Sequence, residues 1–382
     1  MKCKLSDICE YRKGKVNTSN LTLKTYISTE NMLPDKAGVV EANSLPSTTL
    51  VQEYKEHDTL VSNIRPYFKK VWQAKHDGGC SNDVLVFQGN LNVDKDFLYY
   101  ILANDDFFAY SMATSKGTKM PRGDKKSIMQ YELQLFDIKI QKKIVSILKL
   151  LDKKIELNNA INNNLEYQAE ALFHSLFVEN VNPIWKDGVL SDLGTIVAGG
   201  TPSKTKPEYY SEKGIAWITP KDLSLNKSKF ISHGEIDISE LGFSKSSATK
   251  MPTGTVLFSS RAPIGYIAIA ANEVTTNQGF KSVVPNENVG TVFIYYLLKF
   301  LLPTIEGMAS GSTFKEISGA GMKSVPVVIP DNETIDKFNA FCTPIFQQQE
   351  VLEAENSRLV DIIDALLPKL ISGELDVSDI EL

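Results

Sequence analysis

The feature that most constrains this chain is that it is one design written twice, with the copies about 195 residues apart. Leu5-Ser6-Asp7 returns as Leu190-Ser191-Asp192, Phe97-Leu98-Tyr99-Tyr100 as Phe293-Ile294-Tyr295-Tyr296, and Ala171-Leu172-Phe173 as Ala365-Leu366-Leu367, at offsets of 185, 196 and 194. A duplicated chain without an obvious catalytic signature fits a ligand that itself has two related parts, and DNA with two half-sites is the leading candidate.

At 382 residues with 42% hydrophobic and 23% charged residues, the chain can bury ordinary cores in two or three units. Cys3, Cys9, Cys80 and Cys342 show neither zinc spacing nor the density of a disulfide scaffold, so they read as reduced thiols. The first residues lack an apolar export core, and the most apolar stretch, Val292 to Pro303, is short and interrupted by Lys299. The expectation is a cytoplasmic protein with no membrane partner.

The net charge of −5 seems to argue against nucleic acid, but its distribution reverses that impression. Residues 1–140 hold 19 basic against 17 acidic side chains, residues 141–180 hold 5 against 5, and residues 181–330 hold 14 against 12. The last 52 residues hold 3 against 12, so the acidity sits in one terminal segment. Two mildly basic modules can approach phosphate; a merely solvated surface would give the same small excess.

Periodicity separates these modules from two long helices. Ile144, Leu148, Leu151, Ile155, Leu165, Ala169, Leu172 and Leu176 alternate at four and three residues, with Asn158 and Asn162 in the remaining slots. Adding 194 gives Phe338, Cys342, Ile345, Gln349, Leu352, Asn356, Leu359, Ile363, Leu366 and Leu370. The matched seams favour pairing of the helices with each other, the alternative being that each packs on its own module. Leu148, Leu151, Ile155, Asn162, Leu165, Leu172, Ile345, Leu352, Asn356, Leu359 and Leu366 are the pairing residues expected. Asn162 and Asn356 would fix register at some cost in stability. The first helix, about 36 residues long, would span roughly 54 Å, enough to act as a ruler on duplex DNA. Pro344 and Pro368 suggest that the second is shorter or kinked.

The modules read as short strands followed by an aromatic helix. Thr59–Ile64, Val71–Ala74 and Val84–Phe87, with a turn at Gly78-Gly79, precede a helix around Phe97 to Phe108. Gly254–Arg261, Gly265–Ala270 and Phe280–Val284 precede another around Phe293 to Leu302. The fold class expected is α+β, a repeated module with an appended helix.

Gly199-Gly200-Thr201-Pro202-Ser203, Trp217-Ile218-Thr219-Pro220-Lys221-Asp222-Leu223, Ser259-Ser260-Arg261-Ala262-Pro263-Ile264-Gly265 and Thr276-Asn277-Gln278-Gly279-Phe280 resemble target-recognition motifs of type I restriction-modification DNA specificity subunits. The run from Gln141 through Asn158 resembles the central helical region of that family. The first half departs most, with Ser62-Asn63-Ile64-Arg65-Pro66 in place of the Ser-Arg-Ala-Pro run. The resemblance implies target-recognition domains at 1–140 and 181–330, a central helical region at 141–180 and a C-terminal one at 331–382. The two domains would be separated by a pair of long antiparallel coiled-coil helices with internal pseudo-two-fold symmetry. It further implies that each domain reads one half of a split, asymmetric sequence in double-stranded DNA. The helices would dock methyltransferase subunits, which a restriction subunit with ATP-driven translocation can join. S-adenosylmethionine, ATP and Mg would belong to those partners, and this chain would hold no cofactor.

Sequence reading needs phosphate anchors and base-edge hydrogen bonds. Candidates in the first half are Arg65, Tyr67, Lys69 and Lys70, then Lys116, Lys119, Arg122, Lys125 and Lys126 in a loop punctuated by Gly117, Pro121 and Gly123. These last cations stand too close together for an ordinary set of structural ion pairs, although a mobile solvated loop would look the same. In the second half the candidates are Lys204, Lys206, Lys221, Arg261, Gln278, Lys281 and Lys315; Arg261 and Gln278 could equally brace the fold.

Catalytic signatures are missing from the sequence. There is no Gly-Lys-Ser/Thr phosphate loop, no His-Glu-x-x-His and no Asn/Asp-Pro-Pro-aromatic run. His57, His76, His174 and His233 lack metal-ligand spacing, and Gly311-Ser312-Thr313 and Gly319-Ala320-Gly321 read as turns. A self-sufficient methyltransferase or nuclease and a two-lobed scaffold without DNA stand as alternatives, separable by methyl transfer without partners and by salt-dependent DNA binding.

Overall fold

The computed structural model describes residues 1–311 and 315–380. The chain divides into two compact units, Met1–Ile155 with Arg358–Leu382, and Glu156–Ser357. Each takes part of both long helices, Ile138–His174 and Asn332–Ser372.

In the first unit an antiparallel sheet has the order Cys9–Tyr11, Val84–Gly89, Thr59–Ser62, Val71–Gln73. In the second unit the order Gly194–Ala198, Lys281–Pro285, Val256–Ser260, Ile264–Ala270 repeats this plan, and Phe230–Ile231 adds a parallel edge. Each unit also closes its N-terminal strand on the strand that leads into a long helix: Lys2–Lys4 on Glu132–Gln134, and Lys186–Val189 on Pro326–Ile329. The duplication read from sequence is thus a duplication of sheet order.

Three local expectations are corrected. Gly78–Cys80 is a buried strand between Leu50–Tyr54 and Tyr26–Ile27, not a turn. Glycine is needed there for close approach: a Cβ on Gly79 would run into Leu21, Val16 and Val51, and one on Gly78 into Tyr54. The first aromatic helix is two, Lys95–Ala103 and Asp105–Ala113, because Asn104 is extended (ψ 140°) and caps the second with its side-chain oxygen. Gly319–Lys323 is a short helix capped by Ser318, not a turn; Ser312 and Thr313 of the other glycine-containing segment lie outside the described residues.

The long helix Asn332–Ser372 runs through Pro344 and Pro368 without a break. A helix-interior proline costs about 3 kcal/mol. Cys342, Ile345 and Phe346 around the first, and Leu367, Leu370 and Ile371 around the second, are buried. At about 1.5–3 kcal/mol for each large apolar side chain, that burial outweighs the lost hydrogen bond.

Each unit has a main core that joins sheet, aromatic helix and long-helix segments. In the first, Ile144, Val145 and Leu148 meet Leu367, Leu370 and Ile371 beside Phe97 and Phe107. In the second, Ala169 and Phe173 meet Phe338, Cys342 and Ile345 beside Phe293 and Phe258. The helices therefore pack on their modules and on each other. Every slot of the four-three seam is buried or half-buried, whereas Leu150, Leu157, Ile161, Val351 and Val360, apolar but off the seam, are exposed.

Helix Thr291–Met308 is long and apolar enough by composition to cross a membrane. Its Phe293, Ile294, Leu298 and Ile305 are buried in the core of the second unit, which accounts for its composition.

Candidate nucleic-acid interface

In each unit the turn of one hairpin, Thr59–Ser62 with Val71–Gln73 or Val256–Ser260 with Ile264–Ala270, meets a loop that follows the aromatic helix. In the first, Ile64 and Lys116 both bridge Arg122; in the second, Arg261 and Ser310 both bridge Glu316. The loops sit 194 residues apart, and so do the caps of the short helices that follow them, Asp124 and Ser318. These loops form a rim on each domain.

On the first rim, Arg65 stands in the left-handed region (φ 52°) just before the single turn Pro66–Phe68. Its peptide N–H donates to Pro121 O at 2.8 Å, and its Nε is buried without a partner among the described residues. Tyr67 is half exposed and lies against Phe68, ring centroids 4.7 Å apart. Lys69 pairs with Asp105 at 2.7 Å; Lys70 donates to Thr29 O at 2.6 Å, and burial pushes its pKa down. Both lysines are thus engaged with the fold.

The cation-rich loop is more ordered than its glycines and proline suggest. Lys116 pairs with Asp124 at 2.6 Å, and Arg122 with Asp83 at 3.2 Å, so close cations did find structural partners after all. The Lys116 ammonium and the capping bonds from Ser127 hold the Asp124 carboxyl well below its usual range. Lys125 and Lys126 open the helix Lys125–Ile128 and do not belong to the loop. Lys119, Lys125 and Lys126 are exposed and have no ion-pair partner among the described residues.

On the second domain, Lys204 and Lys206 lie in an exposed loop, Lys206 over the Tyr209 ring at 5.2 Å. Lys221 pairs with Glu235, and Gln278 accepts a hydrogen bond from Thr201. Arg261 is 3.3 Å from Glu316, and Lys281, almost wholly buried, is 3.7 Å from the same carboxylate. Lys315 is exposed.

Among the pairing residues, Leu148, Ile345 and Leu352 are buried, and Leu151, Ile155, Leu165, Leu172, Leu359 and Leu366 half-buried. Asn356 accepts from Asn158 Nδ2 at 2.9 Å and donates to Asn159 at 2.8 Å. Asn162 contributes its carbonyl, which accepts from Gln349 at 3.1 Å, while its own Oδ1 is buried without a partner among the described residues. Residue numbers rise along one helix as they fall along the other, so these segments run in opposite directions.

Sequence reasoning missed the anchor of the second domain. Lys229, 8% exposed, pairs with Glu166 on the first long helix and donates to Gln349 on the second at 2.7 Å, under the ring of Phe346 at 4.1 Å. Glu166 also accepts from Lys299 at 2.8 Å and Tyr296 at 2.9 Å. Burial alone would raise the Glu166 pKa, but the two ammonium groups outweigh it and hold it at about 2. Glu353 accepts from the peptide N–H groups of Lys229 and Phe230, yet burial pushes its carboxyl upward. Nothing in the sequence distinguishes Lys229 from a surface lysine.

Two copies of one module, each with a polar, cation-bearing rim, define a bipartite binding protein. The chain belongs to the type I restriction-modification DNA specificity family, whose domain model matches residues 1–167 and again residues 184–354. The HindI specificity subunit of Haemophilus influenzae is 25% identical, the match covering 97% of this chain and all of that subunit. The MjaIX specificity subunit of Methanocaldococcus jannaschii is 37% identical over 45% of this chain, a match spanning 40% of its own length. The type I S subunit from M. genitalium shares the fold, with a TM-score of 0.60 at 18% identity over 99% of this chain and 96% of that one.

Proposed function

We propose that this chain is the non-catalytic DNA-reading subunit of a type I restriction-modification complex. Each unit reads one half of a split, asymmetric target in double-stranded DNA, and the long helices form an antiparallel coiled coil that docks methyltransferase subunits. The observation that carries this reading is the match of one DNA specificity domain to each half of the chain, joined to a repeated sheet order and a repeated rim. Within this proposal S-adenosylmethionine, ATP and Mg are bound by the methyltransferase and restriction subunits, and the complex works in the cytoplasm.

The phosphate contacts belong to exposed cations with no ion-pair partner among the described residues, Lys119, Lys125 and Lys126 on the first domain and Lys204, Lys206 and Lys315 on the second. Arg65, Tyr67, Lys116, Arg122, Lys221, Arg261, Gln278 and Lys281, held in place by the fold, are the base readers and their immediate supports. Lys69 and Lys70 brace the first hairpin turn.

The decisive experiment sequences the methylated sites in cells carrying this chain with its methyltransferase partner. A split target with two defined half-sites is expected. Methyl transfer by the purified chain alone would make it an enzyme, and binding indifferent to salt would remove phosphate contacts from the account. A heptad inserted into each long helix, after Asn162 and after Gln349, lengthens the spacer by about 10 Å, or roughly three base pairs. An unchanged spacer would mean that the helices do not set it.

A further inference from the structure

The two rims share a plan but differ in charge at equivalent positions. Ser62 faces Val84 in the first domain as Ser259 faces Phe280 in the second, so Leu85 and Lys281 occupy the same place in the sheet. Leu85 sits in its apolar core. The second domain puts an ammonium there, 9% exposed, whose contacts with Ser260 Oγ (3.5 Å) and Gln278 O (3.4 Å) are at the long end of hydrogen bonding. Its one carboxylate neighbour among the described residues is Glu316. Glu316 in turn occupies the place of Arg122, so this position of the rim changes sign between domains.

Glu316 is firmly mounted. Its backbone bridges both Ser310 and Arg261, and the next peptide N–H, that of Ile317, donates to Ser260 O at 3.1 Å. The carboxylate divides its charge between Arg261 at 3.3 Å and Lys281 at 3.7 Å, and the Lys281 ammonium also lies 3.4 Å from the Gln278 carbonyl. A carboxylate on a DNA-facing rim repels phosphate, so its presence costs non-specific affinity. What it offers in return is an acceptor for an amino group, next to a guanidinium that matches a pair of acceptors.

We propose that Glu316 is a specificity-determining residue of the second domain and that, with Arg261 and Lys281, it reads one G·C pair. The inference rests on the DNA-specificity reading above. Arg261 donates to O6 and N7 of guanine, and Glu316 accepts from the N4 amino group of cytosine. Lys281 stays behind the carboxylate and keeps it ionised and in place. The first domain, with Arg122 and Leu85 at these positions, lacks this reader.

The test is the methylated motif of cells carrying the full complex with Glu316→Gln, Glu316→Asp or wild-type chain, with thermal unfolding of each purified chain measured alongside. Wild type should show one invariant G·C pair in the half-site read by the second domain. Glu316→Gln should relax discrimination at that pair by about tenfold to a hundredfold and leave the first half-site unchanged, with a lower melting temperature because the buried Lys281 ammonium loses its carboxylate neighbour. Glu316→Asp should recover part of it. A Glu316→Gln motif identical to wild type at every position, or a second half-site with no invariant G·C pair, overturns the proposal. A wild-type chain with no half-site preference overturns the specificity reading as well.

Discussion

The second domain is fastened to its long-helix segments by a buried charge and the first by exposed ones. Lys229 lies inside the protein between Glu166 and Gln349. In the first unit Lys36 reaches Asp105 at 2.9 Å and Asp364 at 3.3 Å, but both carboxylates are about half exposed. Tyr100 and Tyr296 show the shared part of the design, each donating to a carboxylate on the first long helix, Asp152 or Glu166. The difference teaches that one topology can hold its domain through apolar packing with solvent-screened pairs, or through an ion network that tolerates no missing member.

The comparison is broken most directly by deleting each lysine. Lys229→Met leaves Glu166 buried with half its counter-charge and should lower stability by about 3 kcal/mol, read from the urea midpoint, whereas Lys36→Met should cost less than about 1 kcal/mol. Equal losses would erase the distinction. A larger intervention on function, replacing residues 181–330 with another recognition domain, should change one half of the methylated sequence and leave the other intact; a change in both would show that the units do not read independently.

Acid sharpens the same contrast. Glu166 titrates near 2 in the folded protein against an ordinary 4.5, so its contribution is fully present above about pH 4.5 and disappears as the pH falls toward 2. Glu166→Gln should therefore flatten the fall in stability across that window, and an unaltered acid limb in chemical unfolding would count against the network. The smallest effect expected is electrostatic. Lys119→Ala should reduce the slope of log affinity against log salt by about 0.9, and Lys221→Ala, whose ammonium is already paired with Glu235, by clearly less.

Much of this is legible in the sequence. A repeat of about 195 residues gave two equivalent modules because each copy must build the same sheet, and the four-three seam marked the faces that the long helices bury. Burial itself is what one chain of letters hides. Gly78-Gly79 read as a turn because the side chains that crowd it, Val16, Leu21 and Val51, come from distant strands. The cations of the 116–126 segment read as unpaired because Asp83 is remote in sequence, and Asp124, though near, was not recognised as a helix cap. Glu316 stands 194 residues after Arg122, at the equivalent bridge, but an acidic residue lacks the positive charge that marks a phosphate contact in sequence.

The placement of Lys229 restricts which second domain this chain can carry. A foreign second domain spliced between these helices would inherit Glu166, Gln349 and Glu353 as fixed sockets, and a newcomer without a cation at that edge strand would leave them empty in a water-poor seam. A viable replacement for the second domain of this chain should therefore carry the buried plug along with the reader.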